Sequence, residues 1–293
     1  MMITVSNNTY PTKMLGVVTL YNPEPEEAAS NIMRYISNLD ALIVWDNSPL
    51  EKNLKDMILP VLSDEAEKII WHGDGQNYCI APAINFAWRY ALKNRYDLLL
   101  IMDQDSQWAD FSAYRRDIEI RLKRGEMNVF TPYVRGCDEF EITCNEQDKH
   151  LMINSGMVMP IKILSEIGGA DEKAFPLDAL DHDITYTVRE HGYRTVCLTE
   201  HVLDHSLGQL QRMGIFNMLT PNYNSYRTYS MTRSHIICYR KNKKNLKKED
   251  KQYLYREILL LKFLRIIFAE PDKASRMRAF VRGLISGLIY KIK

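Results

Sequence analysis

The stretch DLLLIMDQDS (97–106) decides the fold. Its uncharged run from Leu98 to Met102 suits a strand covered on both faces, and the run drives straight into two carboxylates, Asp103 and Asp105. Outward from it, similar runs recur: MLGVVTLY (14–21), stopped by Asn22-Pro23; ALIVWD (41–46), stopped by Asn47-Ser48-Pro49; and EKIIWH (67–72), stopped by Gly73-Asp74-Gly75. Helical patterns lie between them, from about Glu24 to Ser37 and from about Ala81 to Lys93. Alternation of this kind predicts an α/β fold, a mostly parallel sheet flanked by helices. Ligands then belong at the carboxyl ends of the strands. The polar residues at those ends are Thr19 and Asn22, Asp46, and the pair Asp103 and Asp105.

The chain has 293 residues, 46% hydrophobic and 26% charged, the balance of a folded domain rather than a disordered chain. A net charge of +1 gives no global basic field for nucleic acid. Five scattered cysteines lack zinc-ribbon spacing and read as free thiols in a reducing compartment. The start, MMITVSNNTYPTKM, has no basic and apolar segments of a secretion signal, and no run approaches a membrane span. The expectation is a cytoplasmic protein. The near-neutral total conceals a split: from Arg240 to Lys293 sixteen Lys/Arg stand against five acids, so the tail carries +11 and the remainder −10. The breakers in LTPNYNSY (219–226) put a boundary near 220, giving a domain over 1–220 and a basic helical extension over 221–293.

Three constellations carry chemistry. In a strand that continues past Asp103, Asp103 and Asp105 point to the same side, and two hard oxygen ligands so placed suit Mg²⁺ or Mn²⁺ beside a diphosphate. A turn with Asx capping explains the same residues without a ligand. Asp-x-Asp also serves aspartyl-phosphate phosphatases, but there it ends the first strand. The second constellation is FPLDALDHD (175–183), three acids ahead of a short helix that stops at Gly192. Asp183 suits the helix start, where the dipole stabilises it; crowding among Asp178, Asp181 and Asp183 favours a general base. The third is His205, which gains meaning only beside Asp105. There is no Gly-x₄-Gly-Lys-Ser/Thr and no Gly-x-Gly-x-x-Gly, which removes P-loop and dinucleotide-binding readings. In the tail, Tyr253–Phe268 and Lys273–Ile289 are amphipathic and basic, patterns that suit a membrane interface or a packed helical pair.

Taken in order, VVTLYNP (17–23), IVWDNS (43–48), NYCIAPAIN (77–85), IMDQDS (101–106), INSG (153–156), the Asp178/Asp181/Asp183 cluster, REHGYRT (189–195), the His205 segment and YRTYSMTRSHI (226–236) resemble the inverting family-two glycosyltransferases of GT-A fold, nearest their rhamnosyltransferase branch. The resemblance spans about residues 14–240. It implies that Thr19 and Asp46 contact the nucleobase and ribose, Asp103 the ribose or diphosphate region, and that Asn77 and Asn85 shape the donor pocket. It further implies Asp105 and His205 as metal ligands, Asp181 as general base, and Ser155, Gly156 and Asp178 on the acceptor side. The implied cofactor is Mg²⁺ or Mn²⁺. The implied partners are a nucleotide-diphosphate sugar and a glycan or polyprenyl-linked acceptor, with possible contact at the inner membrane surface. Cys79 stands where the family commonly has Gly, and Ser234 where the branch has Asn. A sugar nucleotidyltransferase is the competing enzyme, but VVTLYNPEPEE (17–27) lacks its Gly-rich basic signature; a non-catalytic binding module is the competing non-enzyme.

Overall fold

A computed structural model describes residues 12–138, 140–205, 210–214 and 216–292. The first eleven residues, and Ser206 to Gly208 of the His205 segment, lie outside them. The chain opens with three βα units: β1 (Met14–Leu20), α1 (Pro25–Met33), β2 (Ala41–Asp46), α2 (Leu54–Leu62), β3 (Ile69–His72) and α3 (Ala81–Asn94), leading into β4 (Leu98–Asp103). These four strands pair in parallel in the order β3-β2-β1-β4. Successive residues of β4 serve opposite faces, as the two-residue pleat requires. Leu98, Leu100 and Met102 join a core with Ile32 of α1 and Ile58 of α2, while Leu99 and Ile101 join a second core with Ile84 and Ala87 of α3. Burial on both sides explains why the runs are continuously apolar.

Beyond β4 the sheet turns mixed. A short strand β5 (Ser106–Trp108) and helix α4 (Phe111–Lys123) precede β6 (Val129–Arg135), β7 (Glu146–Asp148) and β8 (Met157–Pro160). Then come α5 (Ile161–Ile167), α6 (Leu180–Glu190) and the long β9 (Thr195–His205). β8 is antiparallel to β4, β6 is parallel to β9, and β5 and β7 each run antiparallel to β9. A two-stranded ribbon, β10 (Gln211–Met213) with β11 (Met218–Thr220), leads to the C-terminal helices. These are α7 (Ser225–Lys241), α8 (Lys248–Tyr253), a π-helical stretch Leu254–Leu261, α9 (Lys262–Phe268) and α10 (Lys273–Ile289).

One expectation changes. The helix over 24–37 stops at Met33, where the Arg34 N–H bonds back to Asn31 and Ile32 and the chain tightens into a 3₁₀ turn over Ile36–Asn38. The helical extension after residue 220 packs onto the residues before it. Ile236, Ile237 and Cys238 of α7, with Leu254 and Ile258, pack into the same core as Leu15 and Leu99. Arg233 of α7 donates to the carbonyls of Ala174 and Lys173, and Ser234 donates to Ala174. Residue 220 precedes a helix capped by Asn224, whose side chain accepts from Arg227 N–H.

Candidate active site and metal centre

In the parallel block, β1 has β2 on one side and β4 on the other, so the strand order reverses there and a crevice opens outside the strand ends. Register brings the expected residues together: Thr19 of β1 pairs with Asp103 of β4, and Leu20 pairs with Asp46 of β2. The Asp46 carboxylate accepts from Ser48 N–H at 2.9 Å. Gly73 lies against it, where an added Cβ would meet the Asp46 carbonyl oxygen at 2.8 Å.

Asn47, which sequence reasoning passed over as a strand breaker, organises the adjoining loop. It is buried; its Oδ1 accepts from Trp45 Nε1 at 3.1 Å and from Tyr78 N–H at 2.9 Å, and its Nδ2 donates to the Cys79 carbonyl at 3.0 Å. Asn77 is exposed and accepts from Cys79 N–H at 2.9 Å. Cys79 has φ +65°, so the left-handed backbone that a glycine would supply is kept by these bonds, against a cost on the order of 1 kcal/mol. Asn85 lies in another place. Its Nδ2 donates to the Ala170 carbonyl and Glu172, its Oδ1 accepts from Ala170 N–H, and all three bonds fall between 2.7 and 2.8 Å. It clips α3 to the loop after α5, and both of its amide protons are spent there rather than on a donor.

At the end of β4 the chain doubles back into β5, and β5 pairs with β9 so that Ser106 faces His205. That register delivers His205 to the acidic loop across about a hundred residues of sequence. The ligand atoms of Asp103, Asp105 and His205 lie within 4.8 Å of one another, the one such group of three among the described residues. His205 Nδ1 is 3.5 Å from Asp105 Oδ1 and 2.8 Å from Ser106 Oγ. Burial pushes the Asp103 carboxyl up to about 6; His205 opposes the shift, and the charges of Asp105 and Asp181 add to it. Two crowded carboxylate oxygens and an imidazole nitrogen, open on one side, form a donor set that fits Mn²⁺ or Mg²⁺.

Ser155 and Gly156 lie beneath this loop rather than beside it. Ser155 is fully buried; its Oγ accepts from Asp103 N–H at 3.2 Å and donates to Ser106 Oγ at 2.7 Å. A relay thus runs from the Asp103 backbone through two hydroxyls to His205. Gly156 has φ +79°, donates to the Ile101 carbonyl at 2.9 Å, and sits where a Cβ would strike Pro132 and Leu203. Both residues support the acidic loop from below.

The three acids of 178–183 part company. Asp181 stands in the first turn of α6, partly exposed, its Oδ1 accepting only the His182 N–H at 2.9 Å. Asp183 is buried and tied to Lys241 Nζ at 2.8 Å and Asn242 Nδ2 at 3.1 Å, with its carboxyl raised by burial and held back by Lys241. Asp178 is buried against Arg227 at 3.2 Å, leaving one carboxylate oxygen unpartnered; burial raises its carboxyl and Arg227 opposes the rise. Asp181 is therefore the free carboxylate of the three, and its charge is felt at Asp103. Next to it, His182 and Tyr253 place their ring centroids 6.1 Å apart, so the C-terminal helices reach this side of the crevice.

The curled, mostly parallel sheet with helices on both faces is the GT-A glycosyltransferase fold. Similar solved structures include a mannosyltransferase from Pyrobaculum calidifontis in complex with GDP-Man and Mn²⁺ (TM-score 0.60, 11% identity, 96% of this chain and 88% of that one), GalNAc-T7 with UDP, GalNAc and Mn²⁺ (0.58, 10%, 94% and 56%), and residues 1–349 of S. aureus TarS with UDP-GlcNAc (0.55, 13%, 93% and 82%). No family model and no curated protein matches the sequence.

Proposed function

We propose that the protein is a metal-dependent glycosyltransferase. In this reading it transfers a sugar, with rhamnose the first to test, from a nucleoside-diphosphate donor to a glycan or polyprenyl-linked acceptor, with inversion, at the cytoplasmic face of a membrane. The observation that carries the proposal is the convergence of Asp103, Asp105 and His205 at the strand-order reversal, with the free Asp181 carboxylate close enough to act on Asp103. Three similar folds were solved with nucleotides or nucleotide sugars, two of them with Mn²⁺.

In this reading Thr19 and Asp46 hold the nucleoside along the ends of β1 and β2, with the Asn77–Cys79 loop beside them. Asp103, Asp105 and His205 hold the divalent cation, which when bound neutralises charge developing on the leaving diphosphate. Asp181 takes the proton from the acceptor hydroxyl as that oxygen attacks the anomeric carbon. One base with no protein nucleophile makes this a single displacement, which inverts the anomeric centre. Asp178, held by Arg227, orients the acceptor.

Thermal shift against a panel of nucleotide sugars, with Mn²⁺ or with EDTA, tests the proposal. One nucleotide sugar should stabilise the protein only with metal, by about 2.7 kcal/mol at a hundredfold excess over Kd. Equal stabilisation in EDTA removes the metal role, and no stabilisation by any nucleotide sugar removes the reading.

A further inference from the structure

Helix α10 is built inside out. The side that packs on α7 is lined by Arg276, Ala279, Gly283 and Gly287, with Phe280 its one fully buried large apolar residue and Leu284 partly buried against the core. The two glycines allow close approach: an added Cβ at Gly283 would meet the Tyr229 carbonyl oxygen at 2.8 Å, and at Gly287 the Ile236 Cβ at 2.9 Å. The far end is fastened by Arg240, whose Nη1 donates to the Gly287 and Tyr290 carbonyls at 2.7 and 3.0 Å. Four other large aliphatic residues face away. Val281, Ile285, Leu288 and Ile289 recur at helical spacing along one exposed stripe, with Ile285 at 53%, Leu288 at 60% and Ile289 at 73% exposure. A globular helix normally does the reverse and buries its aliphatic stripe.

The order of layers is sheet core, then α7, then α10, so this stripe lies on the outermost surface of the described chain. Its charges have one sign. Lys273, Arg278, Arg282 and Lys291 are exposed, and residues 273–292 contain no acid. Arg282 rests its guanidinium 5.8 Å from the Tyr229 ring centroid, beside the stripe. A second copy meeting this face would bring like charges together. An anionic surface with an apolar interior matches both components, because aliphatic residues enter the acyl boundary while basic groups meet the headgroups. No helix of the described residues is long and apolar enough to cross a membrane.

We infer that the outer face of α10, carrying Val281, Ile285, Leu288 and Ile289 together with Arg278 and Arg282, seats the protein on an anionic lipid bilayer. This rests on the membrane partnership proposed above and assigns it a surface. Docked so, the helix lies in the interface plane. Through α7, the same helix that holds Asp178 with Arg227, it fixes the crevice at a set height above the lipid.

The test is sedimentation of the full chain with phosphatidylcholine vesicles, with and without about 30% phosphatidylglycerol. The protein should bind the anionic vesicles at low salt and release as salt rises through the range where the Debye length falls below about 10 Å. Ile285→Ser with Leu288→Ser should lower the partition coefficient at least about tenfold, the loss expected from exposing two aliphatic side chains. Arg278→Gln with Arg282→Gln should flatten the salt dependence while leaving the apolar stripe intact. Met57→Ser with Val61→Ser, which alters exposed apolar residues on α2, should bind like the parent. Melting and Mn²⁺-dependent nucleotide binding are read on every variant and should match the parent, so failure on lipid is distinguishable from failure of the glycosyltransferase reading. Absence of binding to anionic vesicles overturns the membrane partnership. Parental binding by both the Ile285/Leu288 and the Arg278/Arg282 variants overturns the assigned face, as does a dimer in the parent that the Ile285/Leu288 variant dissociates.

Discussion

Replacing Asp181 and Asp183 separately by Asn should split activity from stability. Asp183 is buried and bonded to Lys241 at 2.8 Å and Asn242 at 3.1 Å. Asn at 183 keeps the shape but removes the charge facing Lys241. An uncompensated charged hydrogen bond costs about 1–3 kcal/mol, and Lys241, roughly a quarter exposed, recovers part of that by turning to water. The net loss should be about 1–2 kcal/mol, a fall in Tm of about 2–3 °C for a chain of this size. Among the described residues Asp181 has only the His182 N–H as partner, and an Asn Oδ1 accepts that bond equally well. Its replacement should change stability by no more than about 0.5 kcal/mol. What it loses is the capacity to take a proton, so release of nucleoside diphosphate from the donor should slow by roughly 10²–10⁴ while donor and Mn²⁺ still bind. Turnover, melting and nucleotide binding on the two variants give the answer. If Asp181→Asn turns over normally while Asp183→Asn is stable and inactive, the base lies two residues further on and the reasoning fails.

How much of this was legible in sequence depends on the range of the interaction. The strands over 41–46 and 98–103 and the helix over 273–289 could be read directly, because apolar runs and breakers are local. The acids at the strand ends were legible for the same reason, since a strand that stops at a carboxylate marks its own crevice. The meeting of His205 with Asp105 was implied only by the resemblance and not by local pattern, because it depends on the three-residue strand β5 pairing antiparallel with β9, and Ser-Gln-Trp carries no strand signal of its own. Asn85 and Ser155 were placed by likeness to a family, and in the structure their polar atoms close internal bonds that no spacing announces. The −10 and +11 halves suggested two functional surfaces. They share one core because α7 turns Ile236, Ile237 and Cys238 inward and its charges outward. Charge counts a surface, whereas a domain is defined by what is packed beneath it.

Further outcomes follow from the same contacts. Asp105→Asn should reduce Mn²⁺-linked stabilisation by nucleoside diphosphate more than His205→Ala does, because it removes an anionic ligand; equal effects in the same melts would argue against that ranking. His235 is buried, with burial and His182 holding its imidazole well below the ordinary value, so the unfolded chain binds the extra proton. Stability should therefore fall as pH drops below about 6.5, with a slope of up to about 1.4 kcal/mol per pH unit in urea titrations, and His235→Gln should flatten it. The last prediction concerns Glu270, which accepts from Lys262 at 3.1 Å, Arg276 at 3.1 Å and Thr220 Oγ1 at 2.7 Å, with all three charged side chains buried. Two cations share one carboxylate, so Glu270→Gln strands both in the interior and should cost about 3–5 kcal/mol. Burial already lowers Lys262, and Glu270 offsets that; without it, loss of the lysine proton relieves the stranded charge. A lysine titrating lower in the folded state than in the unfolded one gains stability as pH rises. The deficit of Glu270→Gln relative to the parent, measured by urea unfolding, should therefore shrink between about pH 7 and the ordinary lysine range near 10.4. A deficit below about 1 kcal/mol at neutral pH would mean that water reaches the two cations and that the cluster is not sealed as the packing requires.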